Sequence, residues 1–174
     1  MTEIELIPLS LHHRISLQQL GEDVGGVLQT RVVCVEYPIR IDAALDLSRR
    51  QYHSGTILVE LLRHATGGNS KLLAVTSLDL FLPILTFVFG QAQVNNRAAV
   101  YSTFRLQNEF YGLPPDPDIL YQRALKEALH ELGHTFGLRH CHINPCVMNT
   151  STYVEDIDIK PNEYCAHCWK LMHQ

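Results

Sequence analysis

The sequence is short of positive charge and has no basic run. Its 174 residues include 14 Lys and Arg against 18 Asp and Glu, which gives a formal charge of −4, and only Arg49 and Arg50 are adjacent basic residues. A surface that binds nucleic acid normally needs clustered positive charge. We therefore expect no nucleic-acid partner.

Long apolar runs are also missing. The most apolar stretch, residues 80–89 (LFLPILTFVF), is interrupted by Pro83 and is about half the roughly twenty residues that a membrane-spanning helix needs. Residues 1–30 carry Glu3 and Glu5 where a secretory signal would be positive, and they contain no sustained apolar segment. We expect a cytoplasmic monomer that does not bind membranes.

The cysteines are few and unevenly spread. Four of the five lie in the last 34 residues, and such a cluster in a reducing compartment is more typical of a metal site than of disulfides. The fifth, Cys34, stands between Val33 and Val35, which predicts a buried strand thiol without a function.

The hydrophobic pattern predicts a mixed α/β (α+β) fold. With 46% hydrophobic residues, the chain is long enough to bury one core, so we expect a single domain over residues 1–174. Spacing and composition predict strands at 4–9, 31–39 and 72–77, helices at 15–29 and 55–66, and a hairpin formed by 87–94 and 98–106. This order favours a mixed, twisted sheet backed by helices.

One long helix is predicted over residues 117–137, with Asp116 as its N-cap and Pro117 in its first position. Beyond it the periodicity is lost and aliphatic residues are few. We expect residues 1–137 to form an upper subdomain with the sheet and this helix, and residues 138–174 to form a small lower subdomain. Such a segment needs a staple, such as a bound metal.

The motif HELGH lies on this helix. His130 and His134 are four residues apart, so both imidazoles face the same side and can bind one ion. Glu131 stands beside the first ligand, where it can take a proton from a water activated by the metal. This arrangement predicts a zinc-dependent hydrolase in which Glu131 is the general base.

The residues that follow extend the motif. Gly137 can adopt a left-handed conformation that ends the helix, so that His140 reaches the same ion, and Met148 supplies an apolar floor beneath the ligands. HExxHxxGxxH with a later Met-turn is the metzincin signature. Three imidazoles leave a fourth zinc position open, as catalytic sites do. His142 is a rival third ligand, but its spacing fits the motif less well.

A second metal site is predicted from the cysteines. Cys141 and Cys146 form one pair, Cys165 and Cys168 form a CxxC pair, and four thiolates would close a structural zinc site. The alternatives are a redox dithiol at the CxxC, ordinary thiols, or His167 in place of one cysteine. Because Cys141 follows His140 directly, binding at the second site would hold the third catalytic ligand.

These residues resemble the archaemetzincins, a family of metzincin-type zinc peptidases. The resemblance rests on HELGHTFGLRHC, on Cys146-Val147-Met148 and on the terminal cysteine pair. It extends to LDLFLPILTFVFGQA (78–92), AAVYSTFRL (98–106) and FYG (110–112), about the C-terminal 100 residues.

The resemblance implies the same metal ligands, general base and Met-turn. It further implies that the strand FVFGQAQV binds substrate by backbone pairing, with Phe89, Gly90, Gln91 and Ala92 as the candidate substrate-binding residues. Two positions depart from the family: Gln91 stands where an acidic residue is common, and Tyr164 stands where Phe is usual. Neither is a metal ligand.

We therefore expect a metallopeptidase with two Zn²⁺ per chain, one catalytic and one structural, that acts on a peptide or protein substrate. One alternative is a non-catalytic zinc protein that keeps the fold and binds a peptide or protein partner. A pure binder would not need Glu131. A second, a nucleic-acid-binding zinc module, is disfavoured by the acidic charge balance.

Overall fold

The computed structural model describes residues 2–12, 15–64 and 68–173. Within them, eight strands form, namely β1 (Ile4–Leu9), β2 (Val32–Cys34), β3 (Leu45–Asp46), β4 (Gln51–His53), β5 (Lys71–Thr76), β6 (Leu80–Phe81), β7 (Gly90–Ala92) and β8 (Ala98–Ser102). The α-helices are α1 (Leu17–Leu28), α2 (Ser54–His64), α3 (Pro117–Thr135), α4 (Val154–Ile159) and α5 (Ala166–Met172). Short 3-10 helices cover Asp42–Ala44, Phe104–Leu106 and Asn108–Tyr111.

The main sheet of the described residues has the strand order β2-β1-β5-β8-β7. Its first four strands are parallel, and β7 is antiparallel to β8, with Gln91 opposite Val100. The two faces bury alternate residues of the strands. Leu73 and Val75 pack in a core with α1 and α3, whereas Leu72 and Ala74 pack in a second core with α2. The prediction of a mixed α/β fold is confirmed.

Helix α3 begins and ends at the signals that the sequence predicts. The Asp116 carboxylate accepts hydrogen bonds from the backbone N–H groups of Asp118 and Ile119, and Pro117 occupies the first turn. At the other end Gly137 has φ +93°, a left-handed conformation that turns the chain away. Between them α3 is buried along most of its length against the sheet, α1 and α4.

The segment after α3 does not form a core of its own. Val147, Met148 and Ile157 are fully buried in the same core as α1 and α3. The short helices α4 and α5 therefore complete the main core.

Several sequence-based boundaries were wrong. Residues 31–39 were expected to form one strand, but β2 ends at Cys34, whose side chain is exposed and not buried. The polar stretch before α2 forms part of a small second sheet, in which β4 lies between β3 and β6. The predicted end of this helix, residues 65–66, lies outside the described residues.

No helix within the described ranges is long and apolar enough to cross a membrane.

The end of α3 is held by a lysine from the sheet. Lys71 Nζ donates to the carbonyl oxygens of Thr135, at 2.7 Å, and Asn96, at 2.9 Å. A cation at a helix C-terminus also interacts favourably with the helix dipole. Lys71 thereby joins α3 to the turn between β7 and β8.

We predict that Lys71→Met lowers the free energy of unfolding by about 1–2 kcal/mol, because two carbonyl groups lose a charged donor. Urea denaturation measures this change. Lys170→Met is the matched control, since Lys170 is exposed on α5. Equal unfolding midpoints for the two variants would rule out this role for Lys71.

Candidate metal centres

The structure brings the three histidines of the motif together. The imidazole centroids of His130 and His134 are 4.8 Å apart, and that of His140 lies 5.3 and 5.1 Å from them. The Nε2 atoms of His130 and His134 are 3.2 Å apart. Two nitrogen ligands on one tetrahedral zinc are about 3.3 Å apart, given Zn–N bonds of about 2.0–2.1 Å. The donor set therefore fits one zinc ion.

Hydrogen bonds orient the two helical histidines. His130 Nδ1 lies 2.9 Å from the carbonyl oxygen of Val147, and His134 Nδ1 lies 2.8 Å from that of Leu138. Because a carbonyl oxygen only accepts, each Nδ1 donates and each Nε2 keeps its lone pair for a metal. Burial lowers the pKa of His130 well below its ordinary value and also lowers that of His134, which favours the neutral imidazoles that metal binding needs.

The turn after α3 positions His140. The backbone N–H of Leu138 donates to the Gly133 carbonyl, while that of Asn95, in the turn between β7 and β8, donates to the His134 carbonyl at 2.9 Å. The Asn95 side chain also lies against Gly137. The hairpin therefore packs directly on the turn that carries the third histidine.

Glu131 is buried beside β7. Only 4% of the residue is exposed, and burial, reinforced by the charge of Glu127 and opposed by that of Lys160, raises its pKa well above the ordinary value. A Cβ atom added to Gly90 would lie 2.6 Å from Glu131 Oε1, so glycine is required for this close approach.

Met148 is fully buried, and its side chain packs against Gly133, the residue before His134, where any other residue would place its Cβ atom. It therefore lies under the helical part of the histidine cluster, where the sequence predicts an apolar floor.

The four clustered cysteines form a second group. Sγ of Cys141 is 3.8 Å from that of Cys165, and Sγ of Cys146 is 3.8 Å from that of Cys168. All four sulfur atoms lie within 4.8 Å of one another and none forms a disulfide. Sulfur ligands on a tetrahedral zinc are about 3.8 Å apart, given Zn–S bonds of about 2.3 Å. This donor set also fits zinc.

The two clusters share the segment 140–149. The Cys141 N–H donates to the Met148 carbonyl at 2.9 Å, and the Asn149 amide donates to the carbonyls of Cys141 and Ile143. Val147, which accepts the hydrogen bond from His130, directly follows Cys146. The thiol cluster and the histidine cluster are therefore joined by a few backbone bonds.

A cavity of about 510 Å³ opens onto the histidine cluster. All four candidate substrate-binding residues, Phe89, Gly90, Gln91 and Ala92, line it. The Gln91 side chain accepts a hydrogen bond from Ser54 Oγ at 2.6 Å, which restrains it toward α2. Further apolar wall comes from Leu82, Leu85, Phe87, Val88 and Val94.

Sequence reasoning missed several residues here. Glu127, Ser151 and Lys160 line the same cavity, and the carbonyl of Val147 orients His130. The one sequence signal that could have found any of them is the spacing of Glu127 and Glu131, which are four residues apart and so lie on one face of the helix. His142 and His167 are exposed and belong to neither donor cluster among the described residues.

This fold, with these two donor clusters, is that of a zinc-dependent metallopeptidase. The sequence matches the profile of Peptidase family M54 over residues 57–174, and the chain belongs to this family, the archaemetzincins.

Two relatives illustrate the match. The chain is 44% identical over 129 residues to the archaemetzincin of Methanocaldococcus jannaschii, which covers 74% of this chain and 70% of that protein. It is 37% identical over 176 residues to the archaemetzincin of Thermococcus kodakarensis, covering 97% and 94%.

Solved structures agree. A crystal structure of archaemetzincin from Archaeoglobus fulgidus superposes with a TM-score of 0.82 at 32% identity, covering 98% of this chain and 99% of that one. A zinc-dependent peptidase from Methanocorpusculum labreanum superposes with a TM-score of 0.84 at 30% identity, covering 97% and 99%.

The contact between β7 and the glutamate generates a prediction. Gly90→Ala should lower peptidase activity at least tenfold, because the added methyl group must displace either β7 or the Glu131 carboxylate. Activity is measured together with zinc content and thermal unfolding. The control is Gly26→Ala, because nothing lies within 4 Å of the added Cβ. Full activity in Gly90→Ala would show that the close approach is unimportant.

Proposed function

We propose that His130, His134 and His140 hold the catalytic zinc of this metallopeptidase and that Glu131 is its general base. The observation that carries the proposal is the convergence of three imidazoles beside a buried carboxylate, on the wall of one cavity. Zinc bound there would supply an electrophile that polarises both the attacking water and the scissile carbonyl.

Glu131 would move the protons of the reaction. Its carboxylate accepts a proton from the attacking water and returns it to the nitrogen of the departing amine. Its burial keeps this exchange away from bulk water. Its place beside Gly90 puts it at the strand that we propose to hold the substrate.

The substrate would pair with β7, which is the edge strand of the main sheet. The Ser102 N–H donates to the Phe89 carbonyl, and the Gln93 N–H donates to the Ala98 carbonyl. In an antiparallel pair alternate residues point their backbone groups at the neighbouring strand, which here are Phe89, Gln91 and Gln93. The backbone groups of Gly90 and Ala92 then point to the open edge, where an extended peptide can add as a further strand.

A second, structural zinc bound by Cys141, Cys146, Cys165 and Cys168 completes the proposal, at two zinc ions per chain. Because segment 140–149 carries residues of both clusters, zinc bound by the cysteines would also restrain His140. It would restrain His130 as well, through the hydrogen bond to the Val147 carbonyl. Met148 would serve as the Met-turn of a metzincin-type site.

We also propose that residues 1–174 form one metallopeptidase domain, with residues 1–137 as the upper subdomain and residues 138–174 as the lower one. The core shared by α3 and Met148 supports a single folding unit. A cytoplasmic monomer stays a prediction.

The first test separates binding from catalysis. Glu131→Gln should lower kcat for peptide cleavage by about 10²–10⁴-fold and leave zinc content at the histidine site unchanged, because the amide cannot accept the water proton. Mass spectrometry of a cleaved peptide library and metal analysis give the two readouts. Glu36→Gln, at an exposed position, is the control. Cleavage that does not depend on Glu131 would reject this mechanism.

The second test concerns coupling between the clusters. Cys165→Ser or Cys168→Ser should weaken zinc binding at the histidine site about tenfold or more and should lower stability, since the shared segment loses its anchor. Competition with a chelator measures the affinity of each site. Cys34→Ser is the matched control, because Cys34 is exposed and belongs to neither cluster. An unchanged affinity at the histidine site would contradict the coupling.

A further inference from the structure

Three polar side chains line the cavity and take no step in the proposed chemistry. Glu127 lies one helical turn before Glu131, Lys160 directly follows α4, and Ser151 lies between Met148 and α4. The side chains of Glu127 and Lys160 are 4% and 2% exposed, and Lys160 Nζ is 3.2 Å from Glu127 Oε1. We call these three residues the polar pocket.

The polar pocket has unused hydrogen-bonding capacity. Ser151 Oγ is buried and has no hydrogen-bond partner within the described residues, whereas the buried Glu127 Oε1 has the Lys160 ion pair as its contact. Lys160 Nζ has three N–H donors, and within the described residues it contacts Glu127 at 3.2 Å and the Asn149 carbonyl at a long 3.4 Å, which leaves donor capacity on the cavity side. Buried polar groups are almost always paired, so this cluster favours a ligand.

The charge balance of the polar pocket restricts that ligand. Glu127 and Lys160 together are neutral, and a further buried charge would be costly without its own counter-ion. The pair can nevertheless offer an acceptor on Glu127, a donor on Lys160 and a hydroxyl on Ser151 that does either. A neutral ligand with one good acceptor and two donors matches these groups.

The ion pair is not needed to fasten α4 to α3. Arg123 already forms a two-point ion pair with Asp158, at 2.7 and 2.8 Å. Lys126 Nζ adds hydrogen bonds to the carbonyls of Ile157 and Asp158. These contacts attach the two helices from outside the cavity, so the Lys160–Glu127 ion pair can contact a ligand without loosening the join between α3 and α4.

We propose that the polar pocket is a specificity site for a carboxamide side chain, glutamine or asparagine, of the peptide substrate. The proposal rests on the proposed function, because the pocket and the histidine cluster share one cavity. The amide oxygen accepts from Lys160, the amide N–H group donates to Glu127, and Ser151 completes the set. The apolar wall formed by Phe87 and Phe89 contacts the aliphatic part of the peptide.

The test measures binding separately from cleavage. A host peptide carries Gln, Glu, Met or Lys at each position in turn, and calorimetry gives its Kd for the full-length, zinc-loaded Glu131→Gln protein. We expect one position at which Gln binds at least tenfold more tightly than each of the other three. Met has nearly the shape of Gln without its hydrogen bonds, and Glu and Lys add one charge of either sign.

Variants assign that preference to the pocket. Ser151→Ala should reduce the advantage of Gln over Met, and the charge-balanced double variant Glu127→Leu with Lys160→Met should reverse it in favour of Met. Circular dichroism and zinc content verify folding. If the double variant does not fold, two proteins still decide the question. They are the Glu131→Gln protein with all three pocket residues unchanged, and the same protein with Ser151→Ala added.

The outcomes separate the two proposals. A Gln preference in binding, together with no cleavage by the wild type, would support the pocket and reject the catalytic role of Glu131. Cleavage without any Gln preference, or equal binding of all four peptides, would overturn the pocket alone. Failure of every peptide to bind would also overturn it.

Discussion

The hydrogen bond from His130 Nδ1 to the carbonyl of Val147 is the contact on which the arrangement of both clusters depends. It fixes the ring of a histidine on α3, and its acceptor lies between Cys146 of the thiol cluster and the buried Met148. The same short segment returns to Cys141 through the Met148 carbonyl. A displacement of this segment therefore moves a proposed metal ligand in each cluster at once.

The sheet constrains the other side of the cavity. Asn95 contacts the end of α3, and Gly90 allows β7 to approach the Glu131 carboxylate. The strand proposed to hold the substrate and the helix that carries the proposed general base are thus held at one distance by these contacts. A substrate bound by backbone pairing needs this, because a peptide misplaced by about 1 Å loses much of the advantage of a positioned base.

Local signals in the sequence predicted the elements that depend on local physics. Apolar spacing gave β1, α1 and β5, Asp116 and Pro117 marked the start of α3, and Gly137 marked the turn after it. Histidine and cysteine spacing grouped the same residues that the structure brings together, because helix geometry and ligand number restrict where such donors can stand.

Features that depend on long-range contacts were not predictable in this way. The valine-rich stretch that begins β2 suggested a long buried strand, but pairing with β1 ends at Cys34 and leaves its thiol exposed. Strands of two or three residues, as in β3, β4 and β6, are too short to show a period. Lys160 is a residue type that is almost never buried, and the carbonyl of Val147 leaves no trace in the side-chain pattern.

The central claim is that one backbone segment serves two zinc ions with different donors. X-ray absorption spectroscopy at the zinc edge, which gives the average ligand types and distances, tests it most directly when native mass spectrometry supplies the number of zinc ions per chain. The account predicts two zinc ions per chain and an average shell of about two sulfur atoms at about 2.3 Å and about two nitrogen or oxygen atoms at about 2.0–2.1 Å. A single zinc per chain, or a shell made of one donor type alone, would contradict it.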